Sequence, residues 1–201
     1  MLTELKSNLR KPLLPAARWL EGVGAQPDHL TIAGVAASVL AGLSLALGHL
    51  VLGFIWTVVA LLCDMLDGDL ARLHPERTTR FGAFLDSCAD RISEAFLFGG
   101  WLIGKLEHTP STGVVWLLFW ILALAGSFMV SYTRARAEGL GIRCTVGIAE
   151  RPERMVVLLL MIIAGFGVSL WFLLALSLLS WVTVWQRSLH AARQLGGAED
   201  A

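Results

Sequence analysis

The chain has little of what characterises soluble or nucleic-acid-binding proteins. Charged residues make up only 16% of its 201 residues, and the formal net charge is zero. It has no basic tail of the kind that binds nucleic acid, so we expect no nucleic-acid partner. Its three cysteines have no paired spacing, which argues against a disulfide framework and against a cysteine-based zinc site.

The N-terminal segment also lacks the long apolar run of a cleavable signal peptide. Its basic residues, between Lys6 and Lys11, are followed by Pro12 and Pro15 instead. Leucines recur at helical spacing through residues 3–20, with basic residues among them. This pattern predicts an N-terminal amphipathic juxtamembrane helix that lies in the membrane interface.

Apolar residues are abundant. They make up 56% of the chain, and the mean hydropathy is +0.67, whereas soluble domains are roughly 45–50% apolar. The composition predicts an all-α polytopic membrane protein with a single domain over residues 1–201. The predicted parts are a juxtamembrane segment at 1–27, a six-helix membrane domain at 28–192 and a tail at 193–201. We expect the six spans at 28–48, 50–74, 80–105, 112–138, 152–167 and 168–192.

The distribution of basic residues predicts the orientation. An even number of spans places both termini on one side, and that side receives nearly all of the arginines and lysines. Only Lys105 falls on the opposite face. The positive-inside rule then places the termini in the cytoplasm of a plasma-membrane protein. The eight tryptophans are expected mostly at the interfaces or facing lipid.

Four aspartates stand inside two of the apolar segments. Asp64 and Asp67 are three residues apart, and Asp86 and Asp90 are four apart, so each pair shares one helix face. A carboxylate at membrane depth is unfavourable unless it is paired or binds a cation. Oxygen ligands suit hard divalent cations such as Mg²⁺. The pattern therefore predicts a metal site, while Asp69 lies off the shared face and is expected toward solvent or in a loop pair.

The full pattern from Asp64 to Asp90 is D-x2-D-G-x2-A-R-x9-G-x3-D-x3-D. It resembles the motif of the CDP-alcohol phosphotransferase family, integral membrane enzymes of phospholipid synthesis. Nine residues separate Arg72 from Gly82, one more than in the commonest form of the motif. The matching positions are Asp64, Asp67, Gly68, Ala71, Arg72, Gly82, Asp86 and Asp90.

The resemblance implies roles for these positions. Asp64, Asp67, Asp86 and Asp90 would bind Mg²⁺ or Mn²⁺, with two ions expected, and Asp90 would also be the general base. Two such ions can clamp the attacking and leaving oxygens of a phosphate transfer. Glycine and alanine leave room for a nucleotide, and an arginine makes a forked contact with phosphate. The predicted contacts with the CDP-linked lipid are Thr31, Gly68, Ala71, Arg72 and Gly82.

A second group of arginines concerns the acceptor. Arg134 lies near the end of predicted span four, Arg151 at the start of span five and Arg187 near the end of span six. Their segments resemble the phosphatidylinositol-phosphate synthases of the family and related archaeal lipid synthases. The resemblance implies that the three arginines hold the phosphate of inositol phosphate. The alternative is that they set topology and pair with nearby glutamates.

The predicted reaction is transfer of a phosphatidyl-type group from a CDP-linked lipid to inositol phosphate, with release of CMP. The family also suggests a homodimer surrounded by membrane lipid, with the active site open to the cytoplasm. Glycerol 3-phosphate is an alternative acceptor, since it is also anionic. An aspartate-based ion or proton-coupled transporter is the alternative from a different class, although the chain shows no internal repeat.

Overall fold

The computed structural model describes residues 14–73, 79–109 and 112–199. The described residues form helices and the segments between them, with no strand among them, which confirms the all-α prediction. The helices are α1 (Leu14–Gly22), α2 (Pro27–Ala46), α3 (Leu50–Leu73), α4 (Arg80–His108), α5 (Val114–Gly139), α6 (Arg151–Ala164) and α7 (Ser169–Glu199), and a 3₁₀ turn (Phe166–Val168) precedes α7.

A helix occupies each of the six predicted spans. Four of the described helical segments are long and apolar enough to cross a membrane: Pro27–Ala46, Leu50–Leu73, Val114–Gly139 and Phe166–Gly196. The other two predicted spans are not among these four. Helix α6 has only 14 residues, and α4 carries several charged residues, including those of the aspartate pattern. The chain is thus a multi-pass helical protein, and the count of six spans stays a prediction. The predicted juxtamembrane helix lies mostly outside the described residues, which include only its end in α1.

The contacts group into two compact units, Met1–Ile103 and Gly104–Ala201. The first contains α1, α2, α3 and most of α4; the second contains the end of α4 and all later helices. The expected division into one domain with a short tail stays a prediction. Helix α7 continues to Glu199, however, so most of the predicted tail at 193–201 is helical.

In the first unit, α2 begins with Pro27, which suits a first helical turn because its nitrogen has no proton to leave unsatisfied. Gln26 is the N-cap residue. Asp28 and Thr31 belong to residue types that often cap helices but do not cap this one, because the helix starts one residue before Asp28 and Thr31 bonds to Asp67 on α3. Helix α2 ends before Gly48, whose φ of 78° suits glycine.

Helices α2 and α4 approach closely at two glycines. A Cβ atom built on Gly100 would collide with the carbonyl oxygen of Gly42, and one on Gly42 would press on the carbonyl of Phe96. Gly99, the neighbour of Gly100, has open space at the same position. The close packing of backbones at small residues is a common way for membrane helices to associate.

In the second unit, polar side chains on α7 tie it to α5. Ser177 donates a hydrogen bond to the Phe119 carbonyl, and Trp116 on α5 donates to Ser169 at 2.9 Å. Trp116 is buried, as is Trp101 in the first unit, so these two tryptophans do not face lipid as expected. Each ring is enclosed by the helices of its own unit, and burying so large an apolar surface contributes to the stability of the packing.

We predict that Gly100→Ala destabilises the protein and that Gly99→Ala does not. The added methyl group at position 100 forces the backbones of α2 and α4 apart, and overpacking of this kind costs about 1–3 kcal/mol. At position 99 the methyl group has room and should improve helix propensity. Thermal unfolding in detergent, followed by loss of helical circular dichroism, measures both variants. Equal midpoints for the two variants would contradict the close approach.

Candidate active site

Three of the motif aspartates meet in the first unit. Asp64, Asp67 and Asp86 each offer a carboxylate oxygen, and these oxygens lie within 4.8 Å of one another. Asp67 is buried, with 7% of its surface exposed. Helix α3 supplies two of the groups from one face, and α4 supplies the third near its start. Like charges this close repel unless a cation neutralises them, so the arrangement fits a divalent metal ion.

The Thr31 hydroxyl orients the buried carboxylate of this group. It donates to Asp67 Oδ2 at 2.9 Å and also lies 3.2 Å from the Pro27 carbonyl. Because Oδ2 is fixed by this bond, the rotation of the Asp67 carboxylate is restricted. Outer groups that orient a metal ligand in this way strongly affect metal affinity. The expected contact of Thr31 with the donor lipid stays a prediction, and the structure shows its hydroxyl bound to the Asp67 carboxylate.

An open cleft of about 170 Å³ adjoins the carboxylates. Its lining includes four of the predicted donor contacts, which are Thr31, Gly68, Ala71 and Gly82. A Cβ on Gly82 would lie 2.9 Å from Asp28 Oδ1 and 3.2 Å from Thr79 Oγ1. A larger residue at position 82 would therefore press on the cleft wall. The structure brings these small residues together around one space.

Arg72, the fifth predicted donor contact, makes an ion pair with Asp69. Its Nη2 lies 2.6 Å from Asp69 Oδ1, and the two residues are three positions apart on α3. Asp69 is buried, with 6% of its surface exposed. Asp69 therefore does not face solvent, and it forms an ion pair within a helix instead of in a loop, with Arg72 one turn further along α3.

Asp90 stands apart from the group of three. Its Oδ2 lies 3.4 Å from Nη1 of Arg91, and it follows Asp86 by one helical turn on α4. The group of three carboxylates found among the described residues does not include it. Its predicted roles as metal ligand and general base stay predictions.

The three predicted acceptor arginines differ in their surroundings in the second unit. Arg187 is buried, and it donates to the carbonyl oxygens of Val146 and Val130 at 2.9 Å and 2.5 Å. Arg134 is partly exposed and binds Glu138 at 2.9 Å. The charges of Arg134 and Arg187 are close enough to interact. Arg151 is the first residue of α6.

Known proteins resemble this chain over almost its whole length. The family model for CDP-alcohol phosphatidyltransferase matches residues 25–189. The chain belongs to this family.

Two relatives of this phosphatidyltransferase make phosphorylated inositol lipids, as their names state. The archaetidylinositol phosphate synthase of Methanothermobacter thermautotrophicus is 35% identical, covering 97% of this chain and 96% of that protein. The phosphatidylinositol phosphate synthase of Mycobacteroides abscessus is 40% identical, covering 92% of this chain and 86% of that protein.

Solved structures agree with the family assignment. The phosphatidylinositol phosphate synthase of Mycobacterium tuberculosis with CDP-DAG bound matches with a TM-score of 0.77 and 34% identity, covering 89% of this chain and 92% of that chain. The same enzyme in complex with manganese and citrate also matches with a TM-score of 0.77 and 34% identity, covering 88% of this chain and 87% of that chain. The metal-bound neighbour and the acidic group here agree with a divalent-metal-dependent enzyme.

Sequence reasoning missed two residues of the phosphatidyltransferase cleft, Asp28 and Thr79. Thr79 accepts a hydrogen bond from the Gly82 N–H at 2.8 Å, which is the pattern of a threonine at a helix N-terminus. The sequence signal for this contact is a threonine placed just before the Gly82 segment.

We predict that Thr31→Val weakens binding of Mn²⁺ about tenfold, within the 10–100-fold range for outer groups around a metal. The valine keeps the shape of threonine and removes the hydrogen bond to Asp67. Titration of the purified protein with Mn²⁺, followed by the electron paramagnetic resonance signal of the free ion, gives the affinity. Thr31→Ser should retain it. Thr133→Val is the matched control, because that hydroxyl binds only carbonyls of its own helix among the bonds described. An unchanged affinity in Thr31→Val would show that Thr31 does not orient the ligand.

Proposed function

We propose that this phosphatidyltransferase moves the phosphatidyl-type group of a CDP-linked lipid to inositol phosphate, producing phosphatidylinositol phosphate and CMP. The donor is CDP-diacylglycerol or its archaeal analogue. The observation that carries the proposal is the group of three carboxylates beside a cleft walled by Gly68 and Gly82. Relatives named as phosphatidylinositol phosphate and archaetidylinositol phosphate synthases support this choice of acceptor.

Asp64, Asp67 and Asp86 would hold the divalent cation, Mg²⁺ or Mn²⁺, and Asp90 would contribute to a second ion. Their oxygens are the ligand type that such ions prefer. When bound, the cation offsets negative charge on the phosphates of the donor. Thr31, which holds one oxygen of Asp67, keeps this carboxylate in a fixed orientation.

The remaining chemistry belongs to side chains of this protein. The acceptor hydroxyl oxygen forms a bond to the lipid-side phosphorus of the donor, and the bond from that phosphorus to CMP breaks. The hydroxyl proton passes to the Asp90 carboxylate, which is the general base. Gly68, Ala71 and Gly82 give the donor a wall without bulky side chains, and Arg72 binds one of its phosphates.

Arg134, Arg151 and Arg187 are proposed to hold the phosphate of the acceptor. A dianionic phosphate is best held by several fixed cations. The carbonyl bonds of Arg187 use its Nε and Nη1, and they fix the guanidinium in place. Arg134 is more exposed and pairs with Glu138, so its pair must open or rearrange when phosphate binds.

The protein is proposed to cross the plasma membrane six times as a homodimer, with both termini and the active site in the cytoplasm. The helices found at all six predicted spans support this arrangement. The charge asymmetry of the sequence supports the orientation. Helix α6 has 14 residues, so its membrane span would have to include the 3₁₀ turn that follows it and the polar residues at its ends.

The alternatives from the sequence are not equally supported. A transporter does not agree with membership of an enzyme family. Glycerol 3-phosphate remains the alternative acceptor, because its phosphate would interact with the same arginines. The named relatives favour inositol phosphate.

We predict that the purified protein with Mg²⁺ and CDP-diacylglycerol releases CMP when inositol phosphate is added. Free inositol should be a poor acceptor, and a chelator should stop the reaction. Mass spectrometry identifies the lipid product, and glycerol 3-phosphate is assayed in parallel.

Asp90→Asn should lower the rate by about 10²–10⁴, the usual contribution of a general base. Turnover in excess chelator would contradict the metal-dependent mechanism, and glycerol 3-phosphate as the sole acceptor would change the assigned substrate.

We predict that Arg134→Gln raises the KM for inositol phosphate about ten- to a hundredfold and leaves the KM for the CDP-linked lipid nearly unchanged. One charge-assisted hydrogen bond contributes about 1.5–3 kcal/mol, which corresponds to this range. Arg136→Gln is the matched control, since it removes an exposed arginine two residues away on the same helix. Steady-state kinetics with each substrate varied separately measures both constants. Equal effects of the two variants would argue that Arg134 acts only through general surface charge.

A further inference from the structure

The ion pair between Asp69 and Arg72 is asymmetric. The Asp69 side chain is 7% exposed, whereas that of Arg72 is 53% exposed, and their nearest atoms are 2.6 Å apart. The second oxygen of the carboxylate, Oδ2, is buried and has no hydrogen-bond partner among the described residues. The carboxylate is thus the fixed member of the pair, and the guanidinium extends from it toward solvent.

Stability alone does not account for this carboxylate. Removing a carboxylate from water is costly, and its attraction to a half-exposed arginine only partly offsets that cost. The buried second oxygen, which has no hydrogen bond among the described residues, adds to that cost. A neutral or apolar residue at this position would suit the helix better. The buried acid is more simply explained by what it does to Arg72.

Arg72 is held over a wall of the cleft. A Cβ built on Gly68 would lie 3.3 Å from Arg72 Nη2 and 3.5 Å from Nη1, so the guanidinium lies directly above this glycine. Gly68 itself lines the cleft, together with Ala71. Without an anchor, a long arginine side chain at a helix end would sample many rotamers. The bond from Asp69 selects the one that covers Gly68.

We propose that Asp69 is a positioning residue that fixes the Arg72 guanidinium over Gly68, where it binds a phosphate of the donor lipid. The inference rests on the proposed function, because it assumes that the cleft receives the phosphates of a CDP-linked lipid. Asp69 itself touches no substrate. It acts by reducing the number of orientations that Arg72 must lose when the donor binds.

The test compares Asp69→Asn, Arg72→Gln and the double variant in the full-length protein. Asp69→Asn should raise the KM for CDP-diacylglycerol about tenfold, the effect of about one charge-assisted hydrogen bond, with kcat and the KM for inositol phosphate little changed. Because Asp69 acts only through Arg72, the double variant should be no worse than Arg72→Gln alone. Additive losses, or a normal KM in Asp69→Asn, would overturn the proposal.

Further measurements separate positioning from a general loss of structure. Asp69→Glu keeps the charge and should recover part of the donor affinity. Mn²⁺ affinity of Asp69→Asn should match that of the unaltered protein, which reports an intact group of carboxylates. Glu107→Gln, which removes an exposed negative charge, should leave the donor KM unchanged. A lower Mn²⁺ affinity together with a higher KM for both substrates would show a purely structural role and overturn the proposal.

A direct binding measurement separates this inference from the proposed function. Affinity for CDP-diacylglycerol in the presence of Mn²⁺, determined by calorimetry, does not depend on which acceptor the enzyme uses. If the unaltered protein binds the donor but uses no inositol phosphate, the acceptor assignment fails. The donor affinity of Asp69→Asn still tests the positioning role in that case. If Asp69→Asn binds the donor as well as the unaltered protein does, the positioning role fails alone.

Discussion

The structure depends on keeping three carboxylates together in a largely apolar chain. Asp64, Asp67 and Asp86 approach within 4.8 Å, although their charges repel. The repulsion is strongest where water is scarce, so the group requires both a cation and a rigid support. The support comes from the Thr31 bond to Asp67 and from the close packing of α2 on α3 beside Asp64, where a Cβ on Gly34 would lie 3.3 Å from Cys63 Cβ. The tight helix packing is therefore part of the chemistry of the site.

Polar groups buried in the two units are satisfied by different means. In the first unit, buried acids bond to side chains, Asp67 to Thr31 and Asp69 to Arg72. In the second unit, the buried Arg187 is bound by backbone carbonyls. Backbone oxygens are fixed by the fold, whereas side chains can change partners. An arginine anchored on carbonyls is therefore held in place more firmly than one paired with a single carboxylate.

Much of the fold and the carboxylate group could be predicted from the sequence. Long apolar runs and helical spacing locate all six segments, and the aspartate spacing places the carboxylates on shared helix faces. Periodicity carries no information about which partner a side chain chooses. It therefore misplaced Asp69, whose burial depends on Arg72 one turn later, and it missed Gln26 as the cap of α2. The burial of Trp101 and Trp116 likewise depends on contacts between helices that no local pattern reveals.

The position of Lys105 strengthens the charge argument for orientation. It was the one basic residue that the sequence placed on the face opposite the termini. In the second unit it is buried, donates to the Phe166 carbonyl at 3.1 Å and lies over the Trp116 ring. The same carbonyl accepts a bond from Ser169. Lys105 thus stabilises the turn between α6 and α7 with its own charge. A lysine whose charge is held by a carbonyl and a ring within the fold contributes little to the loop charges on which the predicted orientation rests.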